Sequence, residues 1–324
     1  FIGIYLYGWD RLSPRAHLLL GLPIPIAGVA SAWFVVTANA WMNQPRGFDV
    51  NGYLATRRVT HVDPIKAMFN PAVPVQTTHM VLAAFMVSGF ATASVYAARW
   101  LRGRRDRYDA LAFLLPFTIA VIVTPVQIGV GDWAARFIGH NQPVKLAAAE
   151  GLNTTQSHAP LSIGALYIGG RLHGGIEIPG GLSFLLGDHT ATVVHGLDAA
   201  APADRPPVPV VHSAFEAMVA IGFFLLGLGG WFGVLWWRRR VVPANRAFLV
   251  AAIAAGPLAV VALECGWVVT EVGRQPWIVY GVMRVRDAVT TAPNIRVGYF
   301  VLLAVYSLMT VATVFVLRRQ ARQP

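Results

Sequence analysis

Residues 263–277, LECGWVVTEVGRQPW, decide how the chain is read. The first half continues an apolar helix, and the second leaves it through Gly273-Arg274-Gln275-Pro276-Trp277. Glu264 stands in the apolar part with no basic residue nearby. An acid in hydrocarbon is costly and marks a functional site by default. Trp267 and Glu271 share its helix face by spacing. An acid that merely hydrogen-bonds a neighbouring helix would fit the same pattern.

Outward from this stretch, the composition sets the class. Of 324 residues, 56% are hydrophobic and 13% charged, whereas soluble domains carry about 25% charged residues. The chain is therefore an all-α, polytopic membrane bundle. A net charge of +11 would suit nucleic acid if the basic residues formed one patch. They stand instead in short runs beside apolar segments, which is how topology determinants are placed. The lone Cys265 excludes an intrachain disulfide and a cysteine zinc cluster. The start, Phe1-Ile2-Gly3-Ile4-Tyr5, has no Met and no signal-peptide n-region. It is read as the end of a preceding span, and the chain as the C-terminal part of a longer protein.

Six segments reach the roughly 20 residues that a bilayer requires: 17–39, 77–98, 110–130, 213–237, 247–270 and 297–317. They divide the chain into membrane helices over 1–130, a polar loop over 131–212 and three further membrane helices over 213–324. Basic clusters occur at Arg11 and Arg15, between Arg99 and Arg107, between Arg238 and Arg246, and at Arg318, Arg319 and Arg322. With six spans they all fall on one side. The positive-inside rule makes that side cytoplasmic, so the long loop lies outside, in the periplasm or its equivalent, and the C-terminus inside.

Few side chains within the spans can carry chemistry. His79 and Met218 lie near the outer ends of two helices and would suit the axial positions of a six-coordinate haem. A packing histidine and a gap-filling methionine fit as well. In the loop, Lys145 and Glu150 would bind and deprotonate a polar headgroup, although the pattern alone favours a solvated amphipathic helix. There is no phosphate loop, nucleophile elbow or HExxH motif.

Four motifs occur in order: Gly8-Trp9-Asp10-Arg11-Leu12, Ala38-Asn39-Ala40-Trp41-Met42, 145–150 (KLAAAE) and Gly273-Arg274-Gln275-Pro276-Trp277. Together they closely resemble subunit I of the cytochrome bd-type quinol oxidases, from Gly8 to the last helix. Residues 176–186 and Arg205-Pro206-Pro207 resemble the short-quinol-loop branch that includes cyanide-insensitive oxidases.

The resemblance implies a terminal oxidase subunit that oxidises quinol at the outer face and reduces dioxygen to water. Electrons would pass through two b haems to a haem d, or a third b haem, whose ligand histidine lies outside this chain. Protonmotive force would arise without pumping. His79 and Met218 match the low-spin b haem ligands, and Glu264 the high-spin b haem ligand. Lys145 and Glu150 match the quinol-oxidising residues. Trp267, Arg274, Gln275 and Trp277 match the haem-side wall, and Ser31 and Asn39 match polar positions near the proton route and haems. The implied partners are quinol, dioxygen, a second membrane subunit (subunit II) and lipid, with no nucleic acid.

Two residues depart from the family pattern. Glu216 stands where Arg or Gln is usual, and Val260 where Trp is common. Two other readings of the chain remain at this stage. One is a proton-coupled transporter with Glu264 as its relay; the other is a degenerate haem-binding assembly subunit.

Overall fold

The computed structural model describes residues 1–240 and 243–321, so Arg322 of the C-terminal basic run lies outside them. In chain order the helices before the loop are α1 (Ile2–Tyr7), α2 (Pro14–Gly21), α3 (Pro23–Asn43), α4 (Val50–Thr56), α5 (Pro64–Met68), α6 (Val73–Leu101) and α7 (Arg107–Asn141). The loop holds α8 (Pro143–Glu150), β1 (Leu161–Ile163), β2 (Leu166–Ile168), β3 (Arg171–His173), β4 (Ile176–Ile178) and α9 (Gly181–Gly187). After it come α10 (Val208–Arg239), α11 (Arg246–Val272), β5 (Trp277–Val279), β6 (Met283–Arg284) and α12 (Ile295–Ala321).

Among the described residues, six helical segments, 25–35 residues long, are apolar enough to cross a membrane. The first combines α2 and α3, which meet at Leu22 just before Pro23. The loop is shorter than the 131–212 read from the sequence, because α7 runs on to Asn141 and α10 already starts at Val208. The extension of α7 is amphipathic rather than apolar. Its Asp132 and Arg136 pair one turn apart at 2.9 Å, which lets polar residues continue the helix. Arg136 also holds Asp188, just past α9, through two bonds of 2.9 Å. In the loop, β1 pairs with β4 and β2 with β3, both antiparallel.

Two compact units divide between Val285 and Arg286. The second is carried by α12, an apolar helix with Arg318 and Arg319 in its last turn. In the first, α6 and α10 each pack on both α7 and α11, so the helices before and after the loop share one bundle. Its core is aromatic. Phe113 stacks on Phe117 at 4.9 Å, and Phe117 meets Phe232 edge-on at 5.0 Å. Gly89 permits the close contact of α6 and α7, since a Cβ there would stand 2.6 Å from the Pro116 carbonyl oxygen.

The turn between α6 and α7 is fixed by the fully buried Asp109, which accepts from Arg99 Nε at 2.7 Å and Nη2 at 3.3 Å. Asp109→Ala removes both charge-assisted bonds and lowers stability by about 2–3 kcal/mol. The expected readout is a lower midpoint in thermal unfolding of the detergent-solubilised protein.

Candidate functional site

Towards the loop, the buried apolar core of the bundle ends at Met86 on α6, Leu225 on α10 and Ala259 on α11, and on α7 at Ala120, one turn before the buried Thr124. Seven residues further on in that direction, the same faces carry His79, Gly131, Met218 and Gly266. His79 Nε2 is 3.2 Å from the Gln127 side-chain nitrogen, and His79 Nδ1 has no partner among the described residues. A Cβ on Gly131 would stand 3.7 Å from His79 Cε1, and one on Gly266 would stand 3.3 Å from Met218 Sδ. The diagonal helices α6 and α10 thus turn a histidine and a thioether inward, with glycines on the helices between them.

Another face of α11 carries Val260, Glu264, Trp267 and Glu271. Glu264 is exposed and has neither hydrogen bond nor ion pair among the described residues, and Val260 is exposed beside it. Glu271 differs from Glu264. It pairs with Arg274 Nη2 and accepts a hydrogen bond from Asn39 Nδ2 at the end of α3. Arg274 is buried, yet its Nε and Nη1 have no partner among the described residues. Burial holds the guanidinium below its usual range, against the pull of Glu271.

From Glu271 a buried polar line runs into the loop. Asn43 Nδ2 donates to Asn39 Oδ1 at 2.8 Å. Asn43 Oδ1 accepts from Lys145 Nζ at 2.8 Å and from Gln142 Nε2 at 3.2 Å. Lys145 Nζ also donates to the Thr270 carbonyl at 3.2 Å. The end of α3 is tied further by Tyr280, whose N–H donates to the Met42 carbonyl at 2.9 Å.

All of 145–150 is buried. A solvated amphipathic helix, which the pattern alone favoured, is therefore not what forms. Leu146, Ala147, Ala148 and Ala149 join a cluster with Leu152, Leu197 and Val211, so the helix is capped from above by the loop and backed by α10. Lys145 is 4% exposed. Burial, then the neighbouring Arg274 charge, lower its amine to about 7, and Glu271 opposes them only in part. At the other end of α8, burial and then the charge of Glu216 raise the Glu150 carboxyl to about 8. Glu216, the departure from the family pattern, accepts the Gly164 N–H at 2.8 Å and so ties α10 to the loop. One turn earlier, the fully buried His212 sits between the Ala149 and Ala165 carbonyls at 2.8 and 3.0 Å.

The sequence profile of the family described as cytochrome bd terminal oxidase subunit I matches residues 1–324. The chain belongs to that family. A Bacillus subtilis (strain 168) protein with the provisional name of cytochrome bd menaquinol oxidase subunit I is 37% identical, over 98% of this chain and 72% of its own length. The same organism's cytochrome bd ubiquinol oxidase subunit 1 is 29% identical, over 92% of this chain and 65% of its own length. The solved bd oxidase of Geobacillus thermodenitrificans matches with a TM-score of 0.88 and 38% identity, over 99% of this chain and 74% of that one.

As a member of the cytochrome bd subunit I family, the chain is a haem-family integral membrane protein, and the transporter reading falls. Lys145, Asn39 and Arg274 are brought together through Asn43 and Glu271, while His79 and Met218 share the loop end of the bundle. Glu150 stands apart from both, beside Glu216 and His212. Ser31 is exposed two turns before Asn39 and joins neither group. Trp267 and Gln275 are half-buried, and Trp277 lies under the Arg284 guanidinium, 4.9 Å from the ring centre. Asn43, Gln142, His212 and Glu271 are not among the residues that the sequence assigns to the site. The signal for Asn43 was its position four residues after Asn39, on one face of an otherwise apolar helix.

Proposed function

We propose that this chain is the quinol-oxidising, haem-bearing subunit of a terminal oxidase that reduces dioxygen to water. The observation that carries the reading is the buried hydrogen-bonded line from Lys145, through Asn43 and Asn39, to Glu271 and Arg274. It joins a loop helix at the membrane surface to the end of α11. Relatives named as menaquinol and ubiquinol oxidase subunits support the reaction class. We propose the same partners and placement as the resemblance implies: quinol and dioxygen, a second membrane subunit, lipid, and an inner membrane with the loop outside and the C-terminus inside.

The residues suit haem. His79 has an unpartnered ring nitrogen, and Met218 faces inward beside a glycine. The unpartnered Arg274 donors suit a carboxylate such as a haem propionate. His79 and Met218 would hold the low-spin b haem. The resemblance gives the high-spin b haem to Glu264. Glu271 is the alternative acid, because Arg274, matched to the haem-side wall, and Asn39, matched to a polar position near the proton route and haems, converge on it and not on Glu264. Haem iron would supply the one-electron carriers and the oxygen-reducing centre.

The chain's own residues handle the protons. Each quinol gives up two protons as it loses two electrons. Lys145, neutral above about pH 7, accepts a proton at Nζ. Glu150, ionised above about pH 8, accepts one at its carboxylate. Both stand on α8, at the surface from which protons leave to the outer side. Protons consumed in water formation come from the inner side, so protonmotive force follows without pumping.

The test is quinol-dependent oxygen uptake by membranes carrying the whole complex, with Glu264→Gln and Glu271→Gln beside the wild type. The expected result is uptake in the wild type and loss of the high-spin haem band in one acid variant only, which assigns the ligand. Membranes that bind haem yet consume no oxygen with quinol would overturn the reading.

A further inference from the structure

Lys145 is a buried amine with no carboxylate within salt-bridge distance among the described residues. Its position rests on two carbonyl acceptors, Asn43 Oδ1 at 2.8 Å and the Thr270 main chain at 3.2 Å. The Asn43 amide can point only one way. Its oxygen faces two donors, Lys145 and Gln142, and its nitrogen faces the Asn39 carbonyl groups at 2.8 and 3.0 Å. A flipped amide would set its NH2 against the Lys145 amine. The Asn43 main chain is held as well, because Gln142 Nε2 donates to its carbonyl at 2.6 Å.

We propose that Asn43 is the positioning residue of quinol oxidation: it aims the Lys145 amine, with Thr270, so that the third direction at Nζ faces the quinol hydroxyl. The proposal rests on the oxidase reading and deepens it. Two N–H groups of the neutral amine occupy the two carbonyls, which leaves the lone pair for the substrate proton. Preset acceptors remove the need to reorient the amine on each turnover. The neutral asparagine matters as much as its geometry, because a carboxylate in the same place would keep the amine protonated. The charged groups that face Lys145 are Arg274 and Glu271 from the end of α11. From α3 it meets the neutral Asn43, which is bonded in turn to the neutral Asn39. His140 at the end of α7 is exposed and turned to the Arg136 carbonyl. Glu150, with Glu216 and His212 of α10, lies at the far end of α8.

The test compares Asn43→Asp and Asn43→Leu in the whole complex, each checked for an unchanged low-spin haem spectrum. Two quantities are read: the pH dependence of quinol oxidation, and the pH dependence of Lys145 acylation by acetic anhydride, followed by mass spectrometry. Asn43→Asp is expected to move the acidic limb of the rate profile, and the acylation midpoint, upward by about one pH unit or more. Asn43→Leu is expected to lower kcat by about 10-fold or more and to move the acylation midpoint downward. A merely structural Asn43 would lower rates without moving either midpoint, and that result with intact haem would overturn the proposal. If the wild-type complex oxidises no quinol, the oxidase reading fails separately, and the acylation midpoints still decide whether Asn43 governs the amine. If Asn43→Leu does not assemble, Asn43→Asp alone decides.

Discussion

Lys145→Met is expected to lower quinol-driven oxygen uptake by about 100-fold or more while the low-spin haem spectrum stays unchanged. Methionine keeps the length and apolar stem of lysine and removes only the amine. Lys145 is 4% exposed and carries a desolvation cost, so the variant loses no buried charge pair and should fold at least as well. What disappears is the proton acceptor at the end of the Asn43 line. The sign with pH follows from the same burial. The amine is lowered to about 7, so its neutral, accepting form grows as pH rises from 6 to 8, and the wild-type rate should rise over that interval. Glu150, raised to about 8, extends the rise to higher pH, because its accepting form is the ionised one. A Lys145→Met enzyme within about threefold of wild type would remove Lys145 from the chemistry.

Met218→Leu is expected to abolish the low-spin b band, leaving high-spin haem or none, and to stop quinol from reducing the complex. Leucine preserves volume and apolarity against Gly266, whose Cβ position lies 3.3 Å from the present sulfur, so packing changes little. The lost atom is the one whose ligation tends to raise a haem potential. His79→Leu should have the same spectral effect from the diagonal helix. An unchanged low-spin band in Met218→Leu would break the axial pair.

Most of the membrane architecture was legible in the sequence, because apolar length alone identifies a span. The ends of the helices were not. Helix α7 outruns its apolar stretch through the Asp132–Arg136 pair, which hydropathy counts as loop. The inward positions of His79 and Met218 were half legible. Each lies seven residues beyond a core position, but that core is defined only once four helices are packed. The burial of α8 was illegible for a stronger reason. KLAAAE is short and carries a charge at each end, and what covers it comes from residues far away, among them Asn43, Thr270 and Val211. Periodicity also could not choose between Glu264 and Glu271. Seven residues apart, they share a face, and what distinguishes them is Arg274, three residues after Glu271, together with Asn39 arriving at the end of α3.

The most direct measurement is the spectrum of the wild-type complex after addition of quinol without oxygen, compared with dithionite, followed by admission of air. Quinol alone is expected to reduce the low-spin b haem nearly as fully as dithionite, and air to reoxidise it. A haem that dithionite reduces and quinol leaves oxidised would contradict the oxidase reading.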